Sequence, residues 1–449
     1  MKILYAIPDG IDLGGIITAT EAHIAGLQEI GHEVTFLRLR DTVSSGVQGR
    51  SQKAGYDSDQ WASSAYAGLE VHPLLGWTGP YYSMNEPEDI LRVKDVISNH
   101  DLVIWGFLFG FKNKNTEKNP VWVDLFDDPT VPMITVLHDD HLWDRQAWIA
   151  NLDGHAIKGW ACVHHCSFYL SEGLSSPRAL IFNGHDVSAL QPRVFRPWDK
   201  RAGLFSVQNA KPWKKVDKFV SMSRFLSEDV RAWLAGDGIE IRYMRSKDRC
   251  KPQYTEGGTP IWNLAIASGK FEWIGPVGEV ERNAHMVNAA FLCDFSTRKN
   301  KGMFNRTFVE AALRGCVTIA NPRFMSGADG EARDLLRADA HYLPVDTEKS
   351  PKEIAEQINE HYGAMTARRY RDMQENLRTL CVQQFDRRKI AGQLVDLGMR
   401  RVAGFSPRPS TVYYDKGGKL DKAKARTAFN DMLNTFGVAF SCEEIDNES

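Results

Sequence analysis

Short apolar runs rich in β-branched residues alternate with amphipathic stretches along most of the chain. The first run, Lys2–Ile7, leads through a Gly14-Gly15 turn to an amphipathic stretch from Ile17 to Ile30. A Gly31-His32 stop and a second run, Glu33–Leu39, follow. Further runs at Leu102–Trp105, Met133–Leu137, Ala161–His164 and Ala179–Ile181 predict strands with helices between them. Runs that are apolar throughout suit parallel strands buried on both faces, so the alternation predicts a doubly wound α/β sheet. A second series begins near Arg201, with strands predicted at Gly203–Val207, Ile239–Tyr243, Phe271–Ile274, Ala290–Cys293 and Cys316–Ala320. A helical region from Pro351 to Val402 closes it. Asp41 to Gly79, rich in Ser, Gly, Gln and Asp, predicts a long insertion. Gly404–Lys419 reads as a linker, before a short helix near Lys419–Phe436 and an acidic end.

Composition narrows the class. The chain has 449 residues, 43% hydrophobic and 25% charged, which fits an enzyme of two or three domains. No apolar run approaches the roughly 20 residues that span a bilayer. The N-terminal run breaks at Pro8-Asp9-Gly10, unlike a signal peptide. Seven scattered cysteines are too few for a disulfide scaffold. The expected protein is cytoplasmic, with reduced thiols and no membrane partner. A net charge of −2 gives no global pull toward nucleic acid. Basic residues nevertheless cluster at 193–218 (Arg193, Arg196, Lys200, Arg201 and four lysines), at 242–251 and at 298–306. These clusters suit phosphate-bearing ligands or are solvated faces.

Four segments carry candidate chemistry. In Asn305-Arg-Thr-Phe-Val-Glu310-Ala-Ala-Leu-Arg-Gly315, a helix bearing one glutamate ends at a glycine and enters the strand Cys316–Ala320. A glycine at a helix C-terminus takes positive φ without a Cβ penalty. Glu310, near the C-terminal edge of a parallel sheet, is well placed to hydrogen-bond a ribose. The Gly14-Gly15 loop lets a ligand approach a helix N-terminus. G-x-G-x-x-G is absent, which argues against a dehydrogenase. The run His138-Asp139-Asp140-His141 ends a strand, where metal ligation, turn chemistry and an active-site loop compete; the active-site loop is favoured. Cys162-Val-His-His-Cys166 lacks a second ligand pair and reads as core. Asn209-Ala-Lys211-Pro-Trp213-Lys214-Lys215 follows the first strand of the second series and presents cations at a helix start, or an exposed basic turn.

Together these segments resemble retaining glycosyltransferases with the GT-B fold, and in particular the T-even phage DNA α-glucosyltransferases. The likeness rests on the glycine pair with its closing Gly31-His-Glu-Val34, the His-Asp-Asp-His run, Asn183-Gly-His-Asp186, Trp213-Lys214, and Phe304, Thr307 and Glu310. It implies an α/β fold of two Rossmann-like doubly wound domains facing a central cleft. Residues 1–200 would form the acceptor domain and 201–384 the nucleotide-sugar donor domain. Residues 385–403 would return as a crossover helix, leaving 404–449 as linker and tail. It also implies a UDP-sugar donor, with UDP-glucose expected, and no essential metal. Gly14, Gly15, Asn209, Lys211, Lys214, Asn305, Arg306, Thr307 and Glu310 would bind that donor, and His138, Asp139, Asp140 and His141 would serve the acceptor. The implied acceptor is a hydroxymethylated pyrimidine in double-stranded DNA, placing the protein in host cytoplasm if phage-encoded. Three positions depart from the family pattern: Asn209 replaces an arginine, Lys215 a glycine, and Gly302 the first of two glutamates spaced eight apart. A polysaccharide, lipid or small-molecule acceptor is the rival reading, as is a degenerate binding domain.

Overall fold

In the computed structural model, the described residues are 1–8, 15–40, 81–83, 87–106, 131–138, 156–163, 174, 176–190, 194–208, 214–246, 248–296, 306–322 and 336–400. They form two compact units. The first takes in described residues up to His185 and resumes at Phe385; the second holds those from Asp186 to Gln384.

The first unit is built on a seven-stranded parallel sheet. Its strands are β1 (Lys2–Pro8), β2 (Glu33–Arg40), β3 (Tyr81–Ser83), β4 (Leu102–Trp105), β5 (Met133–Leu137), β6 (Ile157–Cys162) and β7 (Arg178–Leu180). The spatial order is β3-β2-β1-β4-β5-β6-β7. Central strands are apolar for a physical reason: Ile3 to Ile7 of β1 are fully buried, as is every residue of β4 and β5. Helix α1 (Gly15–Glu29) crosses from β1 to β2, and α2 (Pro87–Ser98) precedes β4. Trp105 and Trp160 anchor the core with Leu4, Val103 and Met133.

In the second unit the short helix α3 (Val187–Leu190) precedes β8 (Ala202–Val207), α4 (Val216–Ser223) and β9 (Ala232–Ala235). Then come α5 (Ile239–Arg245), the two-residue strands β10 (Thr255–Glu256) and β11 (Thr259–Pro260), α6 (Ile261–Ala267), β12 (Phe271–Gly275), α7 (Glu279–Asn288) and β13 (Ala289–Asp294). Helix α8 (Arg306–Leu313), β14 (Val317–Ala320), β15 (Tyr342–Pro344), α9 (Pro351–Gly363) and α10 (Ala367–Phe385) complete the series. The six-stranded sheet is ordered β12-β9-β8-β13-β14-β15, and its pairings are parallel. Both sheets are doubly wound, as expected.

One expected strand is a helix. Ile239 to Tyr243 alternates like a strand, but Glu240, Ile241 and Met244 share the buried face of α5. That spacing of one and three residues belongs to a helix. The sheet position is taken by Ala232–Ala235, which pairs with both β8 and β12. Four residues flanked by arginine and glycine gave that strand little visible pattern.

The last helix, α11 (Arg387–Gly398), belongs to the first unit and packs on α1. Asp386 caps it by accepting from the Arg388 amide at 2.9 Å. Arg387 spans to Glu29 with both guanidinium arms, Nε at 3.0 Å. Gly26 permits the close crossing: a Cβ there would lie 2.3 Å from the Arg387 carbonyl oxygen. The amide of His185 donates to the Phe385 carbonyl at 2.7 Å, and the Arg387 amide donates to the carbonyl of His185 at 3.0 Å. The Asn183–His185 turn is thereby stitched to the start of α11. No described helix is long and apolar enough to cross a membrane.

Candidate functional site

In an open parallel sheet, the crevice for a ligand lies beyond the C-terminal strand ends, where the winding changes direction. In the second unit that point lies between β8 and β13, because the chain moves outward from β8 through β9 to β12 and then returns to β13. A hydrogen bond from Ser206 Oγ to the Cys293 carbonyl, at 3.0 Å, ties these two strands near their ends. The two segments the sequence singled out for donor chemistry leave from these two strands. Lys214 sits in the turn after β8, just ahead of α4; Arg306, Thr307 and Glu310 lie on α8, after β13.

Lys214 is partly buried. Its neighbour Lys215, standing where the family pattern has glycine, adopts φ 49° and ψ 40°. A left-handed backbone at a lysine carries a strain that glycine would not. The Lys215 carbonyl accepts from the amides of Lys218 at 3.1 Å and Phe219 at 3.4 Å, so this strained residue starts α4.

Glu310 is 3% exposed and therefore needs compensation for its charge. Arg306, one turn earlier, donates from Nε to Oε1 at 2.7 Å. Arg282, from α7, brings a guanidinium nitrogen within 3.4 Å of Oε2. Beneath them Arg314, 4% exposed, donates to the Glu310 carbonyl at 3.0 Å. Burial, followed by the opposing influence of Glu310, leaves the Arg314 guanidinium below its ordinary pKa. The helix ends as expected. Gly315 has φ +70°, and a Cβ there would lie 2.7 Å from the Phe195 ring. The amides of Gly315 and Cys316 bond back to Ala312 and Ala311, each at 2.9 Å.

Arg282 was invisible in the sequence because 28 residues separate it from Glu310 and only the packing of α7 against α8 joins them. Its one signal was a position just after the Gly275-Pro-Val-Gly278 loop, at the start of a helix that follows a strand. The basic clusters are partly absorbed into the fold. Arg201 is 5% exposed and donates to the carbonyls of Met286, Ala289 and Arg314 at 2.9–3.2 Å. Arg242 pairs with Asp237 at 2.6 Å, and Arg245 lies over the Trp273 ring at 3.7 Å.

In the first unit, Gly15 opens α1, the helix that follows β1 in the chain, and His138 follows β5; both strands are parallel in the one sheet. The structure adds two partners that the sequence did not single out. Tyr5 of β1 is hydrogen-bonded to His23 of α1 at 2.8 Å, with both side chains fully buried. Burial, reinforced by the nearby His138, lowers the His23 pKa to about 3, while burial pushes the Tyr5 phenol upward. The His23 imidazole is thus held neutral within the influence of His138. Cys162 is buried in β6, in accord with a core role.

Gly14, Asp139, Asp140, His141, Asn209, Lys211 and Asn305 lie outside the described residues, as do Gly302, Trp213 and the candidate stacking residues Trp61, Trp77, Trp122, Trp143 and Trp148. Among the described residues no cluster of three or more His, Cys, Asp or Glu suits a metal ion.

No family model matches the chain, and no curated protein sequence does. Solved structures do match. HepE of Anabaena in complex with UDP is 16% identical, with 90% of this chain and 100% of that one aligned at a TM-score of 0.59. A glycosyltransferase of Rickettsia africae is 12% identical, covering 90% and 99% of the two chains at 0.57. T4 α-glucosyltransferase, in complex with UDP-glucose and DNA containing an abasic site, is 10% identical, covering 89% and 99% at 0.59. These likenesses, together with the two doubly wound sheets, establish that the chain has the GT-B fold.

Proposed function

We propose that the protein is a retaining glycosyltransferase that takes a sugar, glucose in the first instance, from a UDP-sugar. The observation that carries this reading is the position of Lys214 and of the Arg306–Glu310 turn. They follow the two strands that flank the winding reversal of the second sheet. A departing nucleoside diphosphate needs cationic and amide donors, which Lys214, Lys211, Asn209 and the amides of residues 305–307 would supply. Glu310 would hold the ribose. The bond from the sugar's anomeric carbon to the diphosphate breaks as the acceptor hydroxyl attacks from the same face, and the hydroxyl proton passes to the leaving phosphate. No protein nucleophile is required.

For the acceptor we propose a hydroxymethylated pyrimidine in double-stranded DNA. His138 at the C-terminal edge of the first sheet, with the sequence run it opens, the Trp213-Lys214 element and the basic segments support this choice. The target base would be flipped from the duplex to reach the site, and the four residues of the run would orient its hydroxyl. The rival acceptors are polysaccharides, lipids and small molecules. The test is UDP release from several UDP-sugars, with unmodified, 5-hydroxymethylcytosine or 5-hydroxymethyluracil DNA. Turnover only with hydroxymethylated DNA, abolished by Glu310→Ala and by Lys214→Ala, is the expected result. Turnover indifferent to DNA would move the acceptor to the rival classes. No turnover with any donor would return the protein to a degenerate binding domain. DNA affinity must also fall with added salt.

A further inference from the structure

Three guanidinium groups converge on Glu310, and two of them have hydrogen-bond donors to spare. Arg306 donates from Nε to Oε1 at 2.7 Å, and its buried Nη1 has no partner. Arg282 reaches in from α7 to 3.4 Å from Oε2 but donates no hydrogen bond among the described residues; its buried Nε is also unpartnered. Its second acid, Glu279, is 4.0 Å away and 57% exposed. A guanidinium that served only to neutralise a buried carboxylate would close on it with two short bonds. Arg314 adds a third positive charge beneath, through its bond to the Glu310 carbonyl. Among the described residues, three cations thus face Glu310 and the exposed Glu279, which leaves positive charge in excess. Unmet donors and surplus charge together fit an anion.

The position of the two arginines selects the anion. Both stand in the first turns of helices, α7 and α8, that follow β12 and β13. Their side chains are 27% and 29% exposed, within reach of a ligand. We infer that Arg282 is a phosphate-binding residue, which with Arg306 holds the phosphate esterified to the ribose of the nucleotide donor; this rests on the UDP-sugar reading and on Glu310 as the ribose contact. A group beside the carboxylate that meets the ribose is also close to that phosphate. The planar guanidinium can face the carboxylate with one edge and offer another to two phosphate oxygens. Bonds of this kind, between charged groups, correspond to roughly 10- to 100-fold in affinity.

The experiment is calorimetric titration of UDP and pyrophosphate into the full-length protein and its Arg282→Gln and Arg282→Lys variants. Uridine is measured by displacement of UDP, and melting temperatures are recorded. Arg282→Gln should weaken UDP and pyrophosphate by roughly 10- to 100-fold and leave uridine within about twofold. Arg282→Lys, which keeps the charge without the planar fork, should recover part of the loss. Unchanged UDP affinity in a folded Arg282→Gln variant would overturn the inference and leave the UDP-sugar reading intact. A loss shared equally by uridine would overturn it too, making the arginine a support for Glu310 or a packing residue. Failure of the wild type to bind UDP would instead overturn the UDP-sugar reading; pyrophosphate binding lost in Arg282→Gln would then leave the anion site standing.

Discussion

Lys215 is the position where a single substitution separates backbone strain from chemistry. A non-glycine residue in the left-handed region, here φ 49° and ψ 40°, costs about 1–2 kcal/mol. Glycine removes that cost but loses roughly 0.5–1 kcal/mol to its freer unfolded chain. Lys215→Gly should therefore stabilise the second unit by roughly 0.5–1 kcal/mol, a rise of about 1–4 °C in its melting temperature for a unit of this size. The Lys215 charge acts on buried Glu240, whose pKa burial raises. Loss of that charge must be separated from relief of strain, and Lys215→Ala does so: it removes the ammonium group and keeps the Cβ. Differential scanning calorimetry should show Gly above wild type, Asn between, and Ala at or below wild type. If Gly and Ala shift the transition equally, the effect is electrostatic and the strain argument fails.

Three further outcomes are expected. Gly26→Ala drives a Cβ into the Arg387 carbonyl, so the first unit should lose about 1–3 kcal/mol, read as a lower denaturant midpoint. His23 is bound to stay neutral in the folded state, with a pKa of about 3 against 6.5 unfolded. Between those values the unfolded chain holds more protons, so stability falls as pH drops from about 6.5 towards 3, by up to about 1.4 kcal/mol per unit. Melting temperature plotted against pH should slope less for His23→Phe; equal slopes would remove His23 as the cause. Glu310→Gln keeps the shape and removes the charge that both arginines face, so its kcat/KM with a UDP-sugar should fall about 10- to 100-fold. An unchanged value would contradict the assigned role.

Much of the architecture was legible because buried parallel strands must be apolar on both faces. Leu102–Trp105 and Met133–Leu137 match residue for residue, and the Gly315 turn was set by its φ requirement. Legibility failed where the pattern was short or ambiguous. Ile239-Glu-Ile-Arg-Tyr243 fits a strand by alternation and a helix by its 241/244 face, and only the neighbouring β9 decides between them. Tyr342–Pro344 was too brief to register. At the site, Glu310 and Lys214 stood out because each sits in a local motif. Arg282, Arg314 and the Tyr5–His23 pair did not, since their meaning comes from contacts between distant segments.

The return of α11 to the first unit has a consequence for biogenesis. As the ribosome extends the chain, α1 emerges early, but the helix that packs against it is made only after the whole second unit. At about 5–20 residues per second, the roughly 360 residues between Glu29 and Arg387 delay it by about 20–70 s. The second unit can complete its core co-translationally, while the first waits with the Gly26 face of α1 uncovered. A nascent chain arrested before Arg387 would expose that face, an apolar surface of the kind chaperones bind.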